Sequence, residues 1–555
     1  VPRLKAVARV FRTTILHFST TLTDWEIRLT QNKMENFLSH NRDTVSTVPR
    51  WEHLLSLLAA YLFLLSWNGY IYGHGDMIEL LPYAKWLTDS TLYPKDFFIQ
   101  HISVQSVNER YILAYFFSLF GKWMPQAALA LHLICGLFLL EGLFRVAKIF
   151  IRSRGMIWLA ILIPFIPLMN WNLGGNEMYI PLITSSTVAK TFGIWALYFF
   201  LKKEDFNKNN WYVYILLSIA TFIQPLVGLQ LFLVMTGACV LIVIFNMKIE
   251  WKTFLPVLFY LLTGGVWVYW LQRDFAEGGI DNRLLFDFLE FRLPHHFIPT
   301  YFSKKAALVL LPLFGWSLFF YYKKNKTVFW MFVLTLLGML IYTIGVEVLE
   351  SSTIVSSQWF KTTIWLKSLS VIALFAVLES KIPVLQKAFF QKICTRGLRI
   401  LGVISIAMIL NPISIFKTKT YDFFFLHQKN AAIEIAEIAK STTPKDALFI
   451  IPMDNTHFKN YSERSTYIDY KAVIHRKSII PIWYERIQEI YNVNIETRQS
   501  GKDNVLIGNQ NFRNLTMEDL QGFSEKGIQY LLTFQEVNLP LERVGENEKY
   551  VIFKL

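Results

Sequence analysis

Cysteine is scarce in this chain, with three in 555 residues at positions 135, 239 and 394, each in or beside an apolar run. That excludes a disulfide framework and makes Cys135, Cys239 and Cys394 packing residues. Charge is scarce as well: 17% of residues are charged, against about 25% in an average soluble protein. With 26 glycines and 19 prolines the chain has too few of either for a fibrous or low-complexity polypeptide. What is abundant is apolar surface. Hydrophobic residues make up 53% and the mean hydropathy is +0.35, the composition of an integral membrane protein. Composition alone names no chemistry.

The formal charge of +14 raises the question of nucleic acid. Its placement argues against that partner. From Lys417 to Leu555 the chain holds 18 Lys+Arg and 18 Asp+Glu, so the excess lies wholly in residues 1–416. There the basic residues punctuate apolar stretches, as they do in short loops that orient membrane spans, and build no phosphate-tracking groove.

A spanning helix needs about 20 mostly apolar residues. Eleven stretches qualify as expected crossings: 53–72, 125–147, 156–171, 181–200, 211–224, 229–247, 254–271, 306–322, 327–347, 359–379 and 399–416. Residues 1–50 are polar and basic, without the apolar core of a cleavable signal peptide. Val1 in place of Met points to a start upstream or an unusual start codon. Residues 110–123 are apolar but short and flanked by Arg110 and Lys122, so they are expected to lie on the membrane surface. With that choice, the basic loops 148–155, 201–210, 248–253, 321–326 and 380–398 all fall on one side. The opposite loops 172–180, 224–228 and 348–358 carry no Lys or Arg. The positive-inside rule then puts the N-terminus inside and the C-terminus outside.

The expected fold is therefore a polytopic α-helical membrane protein with a small C-terminal α/β domain. Its parts are a basic N-terminal segment (1–50), a membrane domain (51–416) with outside loops 73–124 and 272–305, and an extracytoplasmic domain (417–555). In the tail, residues 430–440 have helical period, while Ala447–Met453, Asn504–Gly508 and Ile528–Phe534 read as strands. Thr516-x-x-Asp519 reads as a capping box. Strands alternating with helices predict a largely parallel sheet. No phosphate loop or nucleophile elbow appears there, and no catalysis is assigned to the tail.

Ionisable groups at a membrane boundary are costly and mark functional candidates. Three clusters stand out. The first follows the first span: His74, Asp76 and Glu79, then Asp89, Asp96, His101, Glu109 and Arg110. Asp76 and Glu79 share a helical face. A carboxylate beside lipid, its pKa raised by desolvation, is suited to act as a general base. Asp76 also reads as the N-terminal cap of a surface helix 77–88. The second cluster is Arg292, His295 and His296 between Pro294 and Pro299, suited to gripping a phosphate at headgroup level or to bare hydration in a clamped loop. A metal at the two histidines lacks an obvious third ligand. The third cluster runs from Asn172 through Gly174, Gly175, Asn176 and Glu177 to Thr184–Thr187 and Lys190, with Gln224, Gln358, Trp359 and Lys361 on the same face. It reads either as a ligand-approaching backbone or as a tight turn with a snorkelling lysine. Together the clusters describe a site at the outside rim of the bilayer, suited to a lipid-anchored substrate.

An outside loop that opens with Asp76 after the first span continues with a surface helix, Leu92-Tyr-Pro-x-Asp96, a second surface helix and a span ending in Arg145–Arg154. This layout resembles the GT-C superfamily of polytopic glycosyltransferases, which includes protein O-mannosyltransferases and aminoarabinose transferases. FRLPHHFIP (291–299) and TPKDALFIIP (443–452) are similar to a less characterised bacterial group of that architecture. The likeness covers about 400 residues on short motifs, and this chain opens the loop on Gly-His-Gly-Asp where the family more commonly has an acidic pair. The resemblance implies a sugar donor on a polyprenyl phosphate and an extracytoplasmic lipid, glycan or protein acceptor, in a bacterial inner membrane. It implies Asp76 as the base, with Glu79 beside it. Arg292, with His295 or His296, would neutralise the leaving phosphate, while His74, Asp96, Glu177 and Lys190 complete the substrate site. A divalent cation is the one cofactor left open. The competing readings are a flippase for a lipid-linked saccharide, which should show broken helices and an internal repeat, and a non-catalytic subunit of a cell-envelope complex.

Overall fold

Apolar runs become helices because a backbone in lipid has no other way to satisfy its hydrogen bonds. In the computed structural model, which describes residues 49–73, 75–105, 108–166, 172–202, 210–246, 254–276, 282–410, 422–423, 430–474, 476–494 and 501–555, each of the eleven apolar stretches contains one. They are Arg50–Asn68, Met124–Phe150, Arg154–Leu162, Ser185–Lys202, Trp211–Ile223, Pro225–Asn246, Leu255–Tyr260 continuing through a π-turn into Val266–Ala276, Lys304–Lys324, Lys326–Glu347, Thr363–Lys381 and Ala388–Leu410. Seven are long and apolar enough to cross a membrane by length and composition. Among the described residues, four expected crossings fall short of that standard. Trp211–Ile223 has 13 residues, which at 1.5 Å per residue is roughly 20 Å of a hydrocarbon core about 30 Å thick.

That helix is short for a local reason. Pro225 follows Gln224, and a residue before proline is pushed out of the helical region. Gln224 is extended (φ −144°, ψ 101°), and Pro225 starts the next helix where its missing N–H costs nothing. Elsewhere polar caps set the boundaries: Ser303, Asn325 and Ser351 accept from the amides of Ala306, Val328 and Ile354. Residues 110–123 form the eight-residue helix Tyr111–Ser118 and a 3-10 turn, too short to span, as expected.

The chain separates into residues 1–55, of which only 49–55 are described, and residues 56–555, one compact unit holding both helices and tail. The tail carries a five-stranded sheet: β1 (Leu448–Ile450), β2 (Ser465–Thr466), β3 (Tyr530–Phe534), β4 (Arg543–Glu546) and β5 (Tyr550–Lys554), in the order β2-β1-β3-β5-β4. β1 pairs parallel with β2 and β3, while β5 pairs antiparallel with β3 and β4. The sheet is mixed, where a largely parallel one was expected, because a C-terminal hairpin completes it. Helix Ala431–Thr442 and the Thr516/Asp519 capping box are as expected. Asn504–Gly508 is not a strand; it lies inside helix Gly501–Arg513.

Polar bonds fasten the tail to the first loop. Asp422 Oδ2 accepts from the Tyr72 amide at 3.1 Å, and Lys85 meets Glu463 at 3.1 Å. The buried pair Lys459–Asp96 closes at 3.1 Å.

Candidate functional site

One cavity of about 320 Å³ is lined by all three clusters: Asp76 and Glu79 from the first, Arg292 and His296 from the second, Gly175, Asn176 and Glu177 from the third. Arg110, Lys361 and Lys471 add cations, and Thr184, Ser185, Ser186, Gln224 and Gln358 add neutral polar groups. A second cavity of similar volume shares Glu109, Arg110, Leu226, Phe297 and Gln358 with the first, and is otherwise walled mainly by apolar groups such as Leu229, Val268, Leu271, Leu285 and Phe288.

Asp76 stands at the N-terminal cap position of helix Met77–Thr88, yet its side chain makes no capping hydrogen bond. Its carboxylate is 69% exposed and sits 3.6 Å from Lys471 Nζ. It is therefore accessible in the cavity. Glu79, expected beside it as a catalytic carboxylate, is committed elsewhere. Arg110 Nε donates to it at 2.7 Å, Arg110 Nη2 donates as well, and Arg292 Nη2 lies 3.5 Å away. A carboxylate held between two guanidinium groups serves as an anchor for both.

Arg292 is buried and aimed by backbone. Its Nε donates to the Tyr470 carbonyl at 3.3 Å, and Nη2 donates to that of Lys471. Burial pushes its pKa down while Glu79 opposes the shift. For Arg110 burial also disfavours the charge, but Glu79 and Glu109 outweigh it and the net shift is upward. The tail turn that receives both arginines is shaped by Asp469, whose Oδ1 accepts from the amides of Lys471 and Ala472 at 2.8 and 3.0 Å. Arg110 Nη2 also reaches the Val473 carbonyl.

The third cluster is a braced loop. Lys190 is fully buried and does not line the cavity; it donates to Asn176 Oδ1 at 2.8 Å and to the Glu177 carbonyl. It supports the site from behind, where substrate contact was expected. Glu177 pairs with Lys367 at 3.0 Å, and burial pushes its pKa up against that pairing. Gly174 and Gly175 have φ of +71° and +62°, and the backbone they free approaches Phe360 and His296. Across from them Gln230 Nε2 donates to the carbonyls of Ser357 (2.6 Å) and Gln358 (3.1 Å). That holds Gln358 in a left-handed conformation (φ 44°, ψ 44°), immediately before the turn that carries Lys361.

Asp96 and His295 as substrate contacts, and His296 as a cation for the leaving phosphate, are corrected by their surroundings. Asp96 is sealed away from the cavity: its oxygens accept from the Ile99 amide, Lys459, and the Thr466 amide and hydroxyl. It caps a helix and fastens the tail, so no lone pair is left for a ligand. His295 is exposed and does not line the cavity. His296 does, but as a neutral ring: burial, then the charges of Lys361 and His295, push its pKa far below the ordinary histidine range. A neutral imidazole cannot neutralise a phosphate. His74 lies outside the described residues. Among the described residues no three His, Cys, Asp or Glu side chains gather as a metal site, so they supply no ligand set for the divalent cation left open above.

Lys471 was invisible in the sequence, being one cation of a charge-balanced tail. Arg110 stood in the first cluster, since an arginine at a membrane boundary is costly without a partner, but its part as the clamp on Glu79 was not legible there.

No curated protein sequence matches the chain. A family model described as a domain of unknown function (DUF6798) matches residues 430–490, the part of the tail that holds the Asp469 turn. Among solved structures, the Archaeoglobus fulgidus oligosaccharyltransferase tethered to an acceptor peptide with an NVT sequon aligns over 87% of this chain and 69% of its own, at 10% identity and a TM-score of 0.43. ArnT from Cupriavidus metallidurans, bound to undecaprenyl phosphate, aligns over 91% of this chain and 98% of its own, at 12% identity and a TM-score of 0.38. The apo form of that protein gives 91% and 97%, with the same identity and score.

Proposed function

We propose that the chain is a membrane glycosyltransferase that moves a sugar from a polyprenyl-phosphate donor to a hydroxyl of an extracytoplasmic lipid, glycan or protein. One observation carries this reading: the accessible Asp76 carboxylate lines the same cavity as Arg292 and Lys361, and that cavity shares residues with an apolar one. A phosphate-linked sugar on a hydrocarbon tail has the matching polarity. Counting all eleven apolar stretches as crossings, with the N-terminus inside, puts the cavity on the side away from the cytoplasm.

In this reaction the acceptor hydroxyl gives its proton to Asp76 as its oxygen bonds to the anomeric carbon. The bond from that carbon to the donor phosphate oxygen breaks, and its electron pair leaves with the phosphate. Arg292 and Lys361 stabilise the charge that develops there. Glu79 and Arg110 hold Arg292 in position, and the tail turn at 469–473 fixes it from the other side. General-base catalysis is worth about 10²–10⁴ in rate, so Asp76→Asn should lower transfer by about that factor. Undecaprenyl phosphate should still bind the variant. The measurement is profiling of lipid-linked glycans and glycoproteins in cells that carry it. An unchanged profile at normal protein abundance defeats the proposal.

A further inference from the structure

The reaction above leaves His296 without a part, although its ring lines the cavity. Nδ1 lies 3.3 Å from the Gly174 carbonyl oxygen. A carbonyl oxygen only accepts, so Nδ1 carries the proton, and a neutral ring then keeps one lone pair, on Nε2. The Nδ1–Cε1 edge is pressed against the glycine loop: a Cβ at Gly175 would stand 2.4 Å from Nδ1 and 2.6 Å from Cε1. Nε2 has no hydrogen-bond partner among the described residues.

Burial and the neighbouring cations keep the ring neutral, outweighing the Gly174 carbonyl, which favours the charged form. Lys361 and Arg292 repel an imidazolium, and the His295 ring stands 4.2 Å away. The carboxylates that line the cavity are engaged by other cations: Glu79 and Glu109 by Arg110, Glu177 by Lys367, and Asp76 by Lys471. A lone pair facing a phosphate oxygen would be repulsive, because both groups only accept. The group that fits Nε2 must bring its own hydrogen.

We infer that His296 is a fixed neutral acceptor whose Nε2 receives a hydroxyl of the donor sugar, making it a recognition residue for the polyol. The identity of the ligand rests on the glycosyl-transfer reading; the tautomer does not. Asn176, Ser185 and Gln358 in the same lining suit a hydroxyl-rich ligand.

Two measurements on the full-length protein in detergent test this. In ¹⁵N spectra of histidine-labelled protein, with His296→Gln assigning the signal, the ring should be the Nδ1–H tautomer at pH 7. An imidazolium or an Nε2–H tautomer overturns the inference. In binding assays, His296→Phe should weaken undecaprenyl-phosphate-linked glucose or mannose about tenfold, one hydrogen bond's worth, and leave bare undecaprenyl phosphate unaffected. His296→Gln, whose side-chain oxygen accepts, should recover part of the loss. Equal weakening of sugar-linked and bare carrier, or no weakening of either sugar, overturns the inference while the transferase reading stands. Binding of no probe by the unaltered protein removes both.

Discussion

At the scale of single residues, the cavity is a set of charges that hold one another in place. Glu79 between Arg110 and Arg292 is the centre of this set. Replacing Glu79 with Gln leaves two guanidinium groups facing each other, and breaking a buried pair from one side costs about 3 kcal/mol or more. The variant should unfold at lower temperature in detergent by a corresponding amount, and lose Arg292-dependent binding of undecaprenyl phosphate. His296 adds a pH dependence. Its folded pKa lies far below the unfolded value of about 6.5, so between the two the unfolded state binds more protons. Its contribution to stability is complete above about pH 6.5 and falls as pH drops, with a limiting slope of about 1.4 kcal/mol per pH unit. Thermal unfolding from pH 7.5 to pH 5 should show a steeper decline for the unaltered protein than for His296→Gln. Residue types were legible in the sequence, and their partners were not. Asp76 and Arg292 stood out because charge beside lipid is costly, whereas Glu79 read as a second catalytic carboxylate beside Asp76, and the sequence did not show the two arginines that claim it.

At the scale of elements, two braced turns pack against each other at the cavity wall: the glycine loop at 172–177 and the Gln358–Lys361 turn. Gly175→Ala would place a Cβ where the His296 ring is and strain a left-handed backbone, at a cost of about 2–4 kcal/mol. That variant should lose transfer more than Ser185→Ala, which removes only a hydroxyl; side-by-side activity and melting measurements decide it. Helices were readable because long apolar runs leave few alternatives. The short run Val505–Ile507 was misread as strand, since three apolar residues fit either period, and flanking polar residues at helical spacing place it in Gly501–Arg513. The C-terminal hairpin of β4 and β5 went unseen because β4 is half exposed and carries little apolar pattern.

At the scale of the molecule, the tail belongs to the site. It brings Lys471 beside Asp76 and two backbone carbonyls to Arg292. A chain ending at residue 416 should therefore bind no undecaprenyl phosphate above background, even where it inserts in the membrane. A reporter fused after Leu555 should be active only outside the cytoplasm; activity inside would invert the proposed topology. Sequence reading reached the convergence of three loops because each carried boundary charges. It could not reach the tail's share, which consists of backbone atoms and one ordinary lysine.

The union of Asp96 with Lys459 spans 363 positions of chain and ends in an interior that water does not reach. During synthesis the aspartate emerges long before its lysine, and must stay hydrated until residue 459 arrives. The same wait applies to Arg292, whose carbonyl acceptors are made 178 and 179 residues later. The site thus comes into working order only once residues 459–471 have been made, and a shorter nascent fragment carries the acid without the groove that gives it a use.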